Sequence, residues 1–327
     1  MTEPSKWRQE QLDKARELLD SGQQAFAHGD IRSADAAVDE ALVILDMAEA
    51  EGSGDDVRRL RVRGLNDRGL FYQHLDEPDE ARPLHHRAAE ILEQIEDLDG
   101  DEFLTTAVAV YLNLGQIGIF DENIATARDA TERGIEIAED LVERSVRGAQ
   151  SLALGLYQNQ SAVESHDGDF DAAADAAEKA LDLAESVADQ GNPAAIGQAA
   201  RICQQLSVQL FEADQYDDAL EWGRRAEELS ERTYNELGEQ ALHIYVVSQI
   251  NLISYYEELH RFADAEDCLW KAIDVAGSDP EILERGQMFY EECRKQSDAR
   301  LEKGNLPRDE VDMGYEDLRE VMEDAGL

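Results

Sequence analysis

Lysine is nearly missing from this sequence. Six of its 30 basic residues are Lys, and 74 Asp and Glu outnumber both basic types, leaving a formal net charge of −44 over 327 residues. Phosphate backbones need a basic face and bind by releasing counterions, so this balance excludes nucleic acid as an expected partner. Cysteine is also scarce. Cys203, Cys268 and Cys293 are odd in number, widely spaced and outside any CxxC or Cys/His cluster. That excludes a disulfide framework and a zinc site, and leaves free, small apolar thiols in a reducing cytoplasm. Long apolar runs are absent: the richest, Ile244 to Tyr256, is broken by Ser248, Gln249, Asn251 and Ser254, which excludes it as a membrane span. The polar start, Met1 to Glu10, has no apolar signal core. The expectation is a cytoplasmic protein with no membrane partner.

Catalytic signatures are missing too. There is no phosphate loop, no HExxH and no Gly-x-Ser-x-Gly. Asp97 to Glu102 resembles a calcium loop, but counting back from Gly100 puts Ile95 at the first ligand position. His85 and His86 are neighbours on a helix, pointing about 100° apart, and read as packed or solvated side chains. The paired carboxylates read as surface. No catalytic residue, cofactor or metal is therefore expected, and an enzyme ranks last among the functions considered.

What remains is a chain able to fold. Hydrophobic residues make up 43% of it, too many for disorder. The acidity then reads as the surface of a protein working in concentrated salt, where carboxylates hold water and cations and where dilution restores their mutual repulsion.

The chain also repeats. Ala34, Ala81, Ala127, Ala173, Ala219 and Ala265 follow one another at a first step of 47 residues and then steps of 46. Seven residues after each lies Ala41, Ala88, Gly134, Ala180, Ala226 or Ala272. Three before lies Ile31, Pro78, Ile124, Phe170, Tyr216 or Phe262, and twelve before lies Gly22, Gly69, Gly115, Ser161, Ser207 or Ile253. Small residues at helical spacing mark close helix contacts, and the apolar spacing fits two helices per unit.

With Leu114-Gly115 before a turn and Gly29-Asp30-Ile31 and Gly168-Asp169-Phe170 at turns, the pattern resembles the tetratricopeptide repeat family from about Leu12 to Ala276. Its unit is longer than the usual length of about 34 residues, and in this it is similar to kinesin light chains and bacterial peptide-sensing regulators. The second unit departs from the pattern at Pro78 and the sixth at Ile253. The resemblance implies an all-α, right-handed α-α superhelix of six helical pairs plus a C-terminal capping helix.

The repeat domain is expected over residues 5–303. Its first helices run from about Ser5 to Ala27 and Ile31 to Ala50, followed by the loop Gly52-Ser53-Gly54-Asp55. Unit two fills Asp56 to Asp97, unit four stops near Gly191-Asn192-Pro193, and Pro280 opens a cap running to about Lys303. Residues 304–327 form an acidic tail with one short amphipathic helix at Tyr315, Leu318, Val321 and Met322, either loose or folded back on the array.

Candidate binding residues lie on the first helix of each unit. Asn113, Asn159, Gln205 and Asn251 share one phase, in a chain with eight Asn. The resemblance implies that such amides line a concave groove and grip an extended peptide, since an amide matches both C=O and N–H. The alternative is that they bond between helices and fix the superhelix. Arg58, Arg59, Arg61, Arg63 and Arg68 form one basic island. Arg63, with Arg16 and Arg201, is placed toward the groove, where a carboxylate ligand is possible; otherwise the island pairs with neighbouring acids. Phe26, Phe120 and Phe211 are the expected apolar contacts.

The function read from these residues is a non-enzymatic module binding a protein or peptide partner. A structural protein that self-associates through an end of the array, and an intracellular peptide sensor, are the alternatives. If the acidity is a salt adaptation, circular dichroism will show helix content falling on dialysis from about 2 M KCl to low salt. Equal helix content in both would remove that reading.

Overall fold

The computed structural model describes residues 6–52, 54–277 and 279–326. Met1 to Ser5, which include the expected domain start at Ser5, lie outside them, as does Ser53 of the first loop. Every regular element among the described residues is helical. In order these are α1 (Lys6–Ala27), α2 (Ile31–Glu51), α3 (Asp55–His74), α4 (Pro78–Leu92), α5 (Asp101–Phe120), α6 (Ile124–Glu143), α7 (Ala149–His166) and α8 (Phe170–Asp189). Then come α9 (Ala194–Glu212), α10 (Tyr216–Leu237), a short 3-10 turn (Gly238–Ala241), α11 (Leu242–Glu258), α12 (Phe262–Ala276), α13 (Pro280–Lys295), α14 (Asp298–Lys303) and α15 (Arg308–Asp324). The chain forms two compact units divided after Val163, inside α7. In the first, α1 packs on α2, α3 on α4 and α5 on α6; in the second, α9 packs on α10 and α11 on α12.

One backbone move makes every turn between paired helices. Gly29, Asp76, Glu122, Gly168, Asp214 and His260 all have positive φ, between +56° and +79°. The next N–H, on Asp30, Glu77, Asn123, Asp169, Gln215 or Arg261, reaches back five residues to a carbonyl of the finished helix, the closure that ends a helix on a left-handed residue. The carbonyl of that same residue accepts the N–H of Ala34, Ala81, Ala127, Ala173, Ala219 or Ala265, so the new helix starts at once. At three turns the side chain caps as well: Asp30, Asn123 and Asp169 accept from the N–H of Ser33, Thr126 and Ala172.

The small residues at these starts are buried, and at two of them the backbones nearly touch: a Cβ on Gly22 would lie 3.2 Å from the Ala34 carbonyl oxygen. A Cβ on Gly118 would lie 2.8 Å from the backbone nitrogen of Ala127. Further along the pair α3–α4, Gly69 leaves room for the ring of His85, whose Nε2 would be 2.5 Å from a Cβ at that position. His85 is fully buried, and burial pushes its pKa down to about 4.

The C-terminal cap is made by α13 with α15 laid antiparallel across it. Gly286 lies by Leu318, Tyr290 by Gly314, and Arg294 pairs with Asp312. Val311 and Leu318 enter the same core as Phe289 and Tyr290, so the acidic tail folds back on the array. The helix α5 is long and apolar enough to cross a membrane, yet here Phe103, Ala107, Val110 and Tyr111 are buried in the core of the first unit. The three cysteines are free and buried, which pushes each thiol up to about 12.

The turn geometry carries a stability prediction. Gly168→Ala forces an alanine to a φ of +78° and should cost about 1 kcal/mol, while Glu122→Gly relieves a left-handed glutamate and should gain about 0.5–1 kcal/mol. Urea unfolding of the two variants beside the parent checks both signs.

Candidate functional site

The first helices of the pairs carry the residues singled out in the sequence. In the first unit Arg16 of α1 and Arg63 of α3 line one cavity of about 320 Å³, with Arg59, Glu102, Phe103 and Thr106 around them. A second cavity of about 310 Å³ shares Arg63, Glu102 and Thr106, and adds Gln23, Thr105 and Arg147. Gln23 lies seven residues, two turns, after Arg16 on the same helix face; that spacing could have found it. Thr105, Thr106 and Arg147 carry no comparable signal.

Arg63 is 9% exposed and held from three sides. Its Nη2 donates to Asp20 at 2.6 Å and Gln23 at 3.1 Å, its Nε lies 3.8 Å from Asp67, and Nη1 lies 3.5 Å from Glu102. Glu102 and Asp20 are exposed and Asp67 is buried, and Arg63 lines both cavities. Asp67 itself is buried, accepts only a long 3.4 Å bond from Gln23, and leaves Oδ2 without a hydrogen bond. Burial raises its pKa to about 6, against the opposing pull of Arg63.

The other arginines of the island are spent on acids. Arg58 pairs with Asp55, Arg61 with Asp46 and Glu49, and Arg68 with Asp35 and Asp39. Arg59 donates to the carbonyls of Asp97 and Asp99 and lies 4.9 Å from the Phe103 ring centre. Arg61 and Arg68 thereby tie α3 to α2, and Arg59 ties it to the loop before α5.

The four amides divide. Asn113 is 8% exposed and donates to Asn66 Oδ1 at 2.9 Å, from α5 to α3. Asn159 is 3% exposed and donates to the carbonyl of Leu112 at 3.0 Å, from α7 to α5. It rests against Gly115, where a Cβ would lie 2.7 Å from its Nδ2; this is the packing reason for Leu114-Gly115. Gln205 and Asn251, in the second unit, are half-buried, and Arg201 is exposed. Among the expected apolar contacts, Phe26 packs on Phe71 and His74, and Phe211 on Tyr216 and Tyr255. Phe120 stands out at 74% exposed, beside a small cavity that also contains Pro78 and Ile117. Among the described residues no group of His, Cys, Asp and Glu is arranged to hold a metal.

Paired helices of this kind make an all-α helical-repeat fold, and solved structures with tetratricopeptide-like folds are similar to it. The apo form of RapI is 16% identical over 89% of this chain and 75% of its own, with a TM-score of 0.58. The S. pombe nuclear import adaptor Nro1 is 13% identical over 85% of this chain and 98% of its own, at 0.56. A signal transduction ATPase with a tetratricopeptide repeat sensor, from Pyrococcus horikoshii, is 13% identical over 96% of this chain and 44% of its own, at 0.57. At such identities the likeness is one of fold. No curated protein matches the sequence. The chain belongs to the family of unknown function DUF6483, whose model matches residues 136–323.

The buried pair Asp67 and His85 predicts opposing pH slopes. Asp67 has a folded pKa above its unfolded one, so the stability of its neutral form is present below about pH 4 and lost as pH rises through 6. His85 has a folded pKa below its unfolded one, so stability is full above about pH 6.5 and falls as pH drops toward 4. Asp67→Asn should therefore raise the thermal midpoint at pH 7–8, by an amount worth about 1–3 kcal/mol, and leave it unchanged near pH 4. A midpoint that drops at pH 7–8 but not near pH 4 would show that pairing to Arg63 outweighs burial.

Proposed function

We propose that the chain is a non-enzymatic protein-interaction module whose first helices present a partner-binding face. The turn recurring every 46 or 47 residues is read as one long repeat unit, each contributing one first helix. The observation that carries this reading is the pair of cavities on the first helices of the first unit, where Arg16, Gln23, Arg63 and Thr106 offer donors and acceptors beside Leu60 and Phe103. Such a mixture suits an extended polypeptide, whose backbone needs hydrogen bonds and whose side chains need apolar contact. In the second unit the corresponding residues are Arg201, Gln205 and Asn251. Asn113 and Asn159 are assigned a different task, because their amides are spent between helices.

Capture from a lysate in about 2 M KCl, compared across variants, tests this. Replacing Arg16, Gln205 and Asn251 by Ala should leave helix content intact and weaken retention of the partner at least about tenfold. Replacing Asn113 and Asn159 by Ala should instead lower the unfolding midpoint, each lost buried bond being worth about 1–2 kcal/mol. Equal retention by the parent and the first variant would move the binding face elsewhere.

A further inference from the structure

The last turn of α3 has a hollow on each side. On one, Ile31 and Asp35 from the start of α2 enclose a cavity of about 560 Å³ with Phe71, Tyr72 and Leu75. On the other, Gln73 lines a cavity of about 230 Å³ with Pro78 and Arg82 of α4 and Gln116, Ile117 and Phe120 of α5. The two are one notch made twice, each where the turn of one helical pair meets the end of the next first helix. Ile31 stands 47 residues before Pro78, Asp35 stands 47 before Arg82, and Phe71 stands 46 before Ile117.

Apolar side chains are left open at both notches. Phe120, at 74%, is the most exposed large apolar residue among those described, and Leu75 is 47% exposed. Each notch also offers an accessible aromatic ring, the half-buried Tyr72 in one and Phe120 in the other. The rim is acidic. Arg82 is held by Asp79 and Asp121, and Arg68, over the Tyr72 ring, by Asp35 and Asp39. Arg32 stands beside Asp30. Asp76, Glu77 and Glu122 remain exposed and pair with no cation among the described residues.

Spacing decides what kind of chain fits. First helices α1, α3 and α5 are successive neighbours, and packed helix axes lie about 8–10 Å apart, so the notches are about one such step apart. A polyproline II segment returns to the same face every three residues, after about 9 Å. Side chains on one face of a β-strand recur about every 7 Å and miss that step. A helix reaches it after about seven residues, but the backbone of a helix is already bonded. Gln73, on the wall between the notches, and Gln116 have side-chain amides that make no hydrogen bond among the described residues. Such amides suit a backbone whose C=O and N–H groups are free, as they are in polyproline II.

We propose that the two notches dock a polyproline II segment of a partner protein. An apolar side chain at i fills one notch and another at i+3 fills the second. Prolines lie on the aromatic rings between them, and Arg or Lys at the flanks meet Asp76, Glu77 and Glu122. This surface is distinct from the face proposed above, because Tyr72 lies about 13 Å along α3 from Arg63.

Fluorescence anisotropy with a labelled synthetic peptide and the full chain, in about 0.5 M KCl, tests the proposal. The peptide has arginine at both ends, leucine at the second and fifth positions and proline at the two between. It should bind saturably, with a Kd below about 100 µM. Phe120→Asp and Leu75→Asp should each weaken binding at least about tenfold with unchanged circular dichroism, since both side chains are exposed. A peptide with one further proline between the leucines, or with glutamate in place of arginine, should lose as much. No saturation by about 1 mM overturns the proposal. So does equal binding of the two spacings, or of the parent and Phe120→Asp. Tighter binding of a helical peptide with leucines seven apart also overturns it, and gives the notches to a helix.

Discussion

Small, fully buried residues hold the paired helices of this chain close together beside their turns, and most of the structure follows from that constraint; at Gly118 a Cβ would lie 2.8 Å from the Ala127 nitrogen. The residue closing the first turn of each second helix is Ala, from Ala34 to Ala265, and none is more than 2% exposed. Nothing larger fits opposite positions such as Gly118. Close approach lets short side chains fill the space between paired helices, so alanine and glycine take places that leucine holds in looser bundles. The turn must then bring the chain round within three residues, and a left-handed residue does so while satisfying the carbonyls at the helix end. Where that residue is Glu122 or His260 rather than glycine, the fold carries a small local strain, tolerated because hydrogen bonds on both sides determine the turn.

The second organising interaction is the use of arginine among carboxylates. In the first unit Arg61 and Arg68 each reach two acids of α2. In the second, Arg225 reaches Glu178 and Arg232 reaches Glu185, both from α10 to α8. Singly, such exposed pairs contribute little. Their geometry still matters: a planar fork can bridge two acids at once and is weakly hydrated, which a lysine ammonium is not. With Lys so rare, the few cations are mostly of the kind that can staple neighbouring helices. Arg8, paired with Asp56, and Arg63 are the buried arginines among those described, and Arg63 is the one that also lines the candidate site.

Helical class, paired helices and turn positions were legible because they rest on local chemistry: a cap such as Asp169, a left-handed residue such as Gly168, a small residue such as Ala173. The direction of the amides was less so. A shift of one residue turns a side chain by about 100°, and the phase of Asn113 relative to Leu114 fits either a groove or the seam with the preceding first helix. The hydrogen bonds of two of them are made 47 residues away, Asn113 to Asn66 and Asn159 to the Leu112 carbonyl, beyond the reach of any local pattern. The burial of Asp67 was invisible for a related reason. Arg63 stands one turn before it, but the α1 side chain that meets it, Gln23, is 44 residues away. The docking of α15 likewise rests on contacts with α12 and α13, while its own pattern of Tyr315, Leu318 and Val321 says only that one face is apolar.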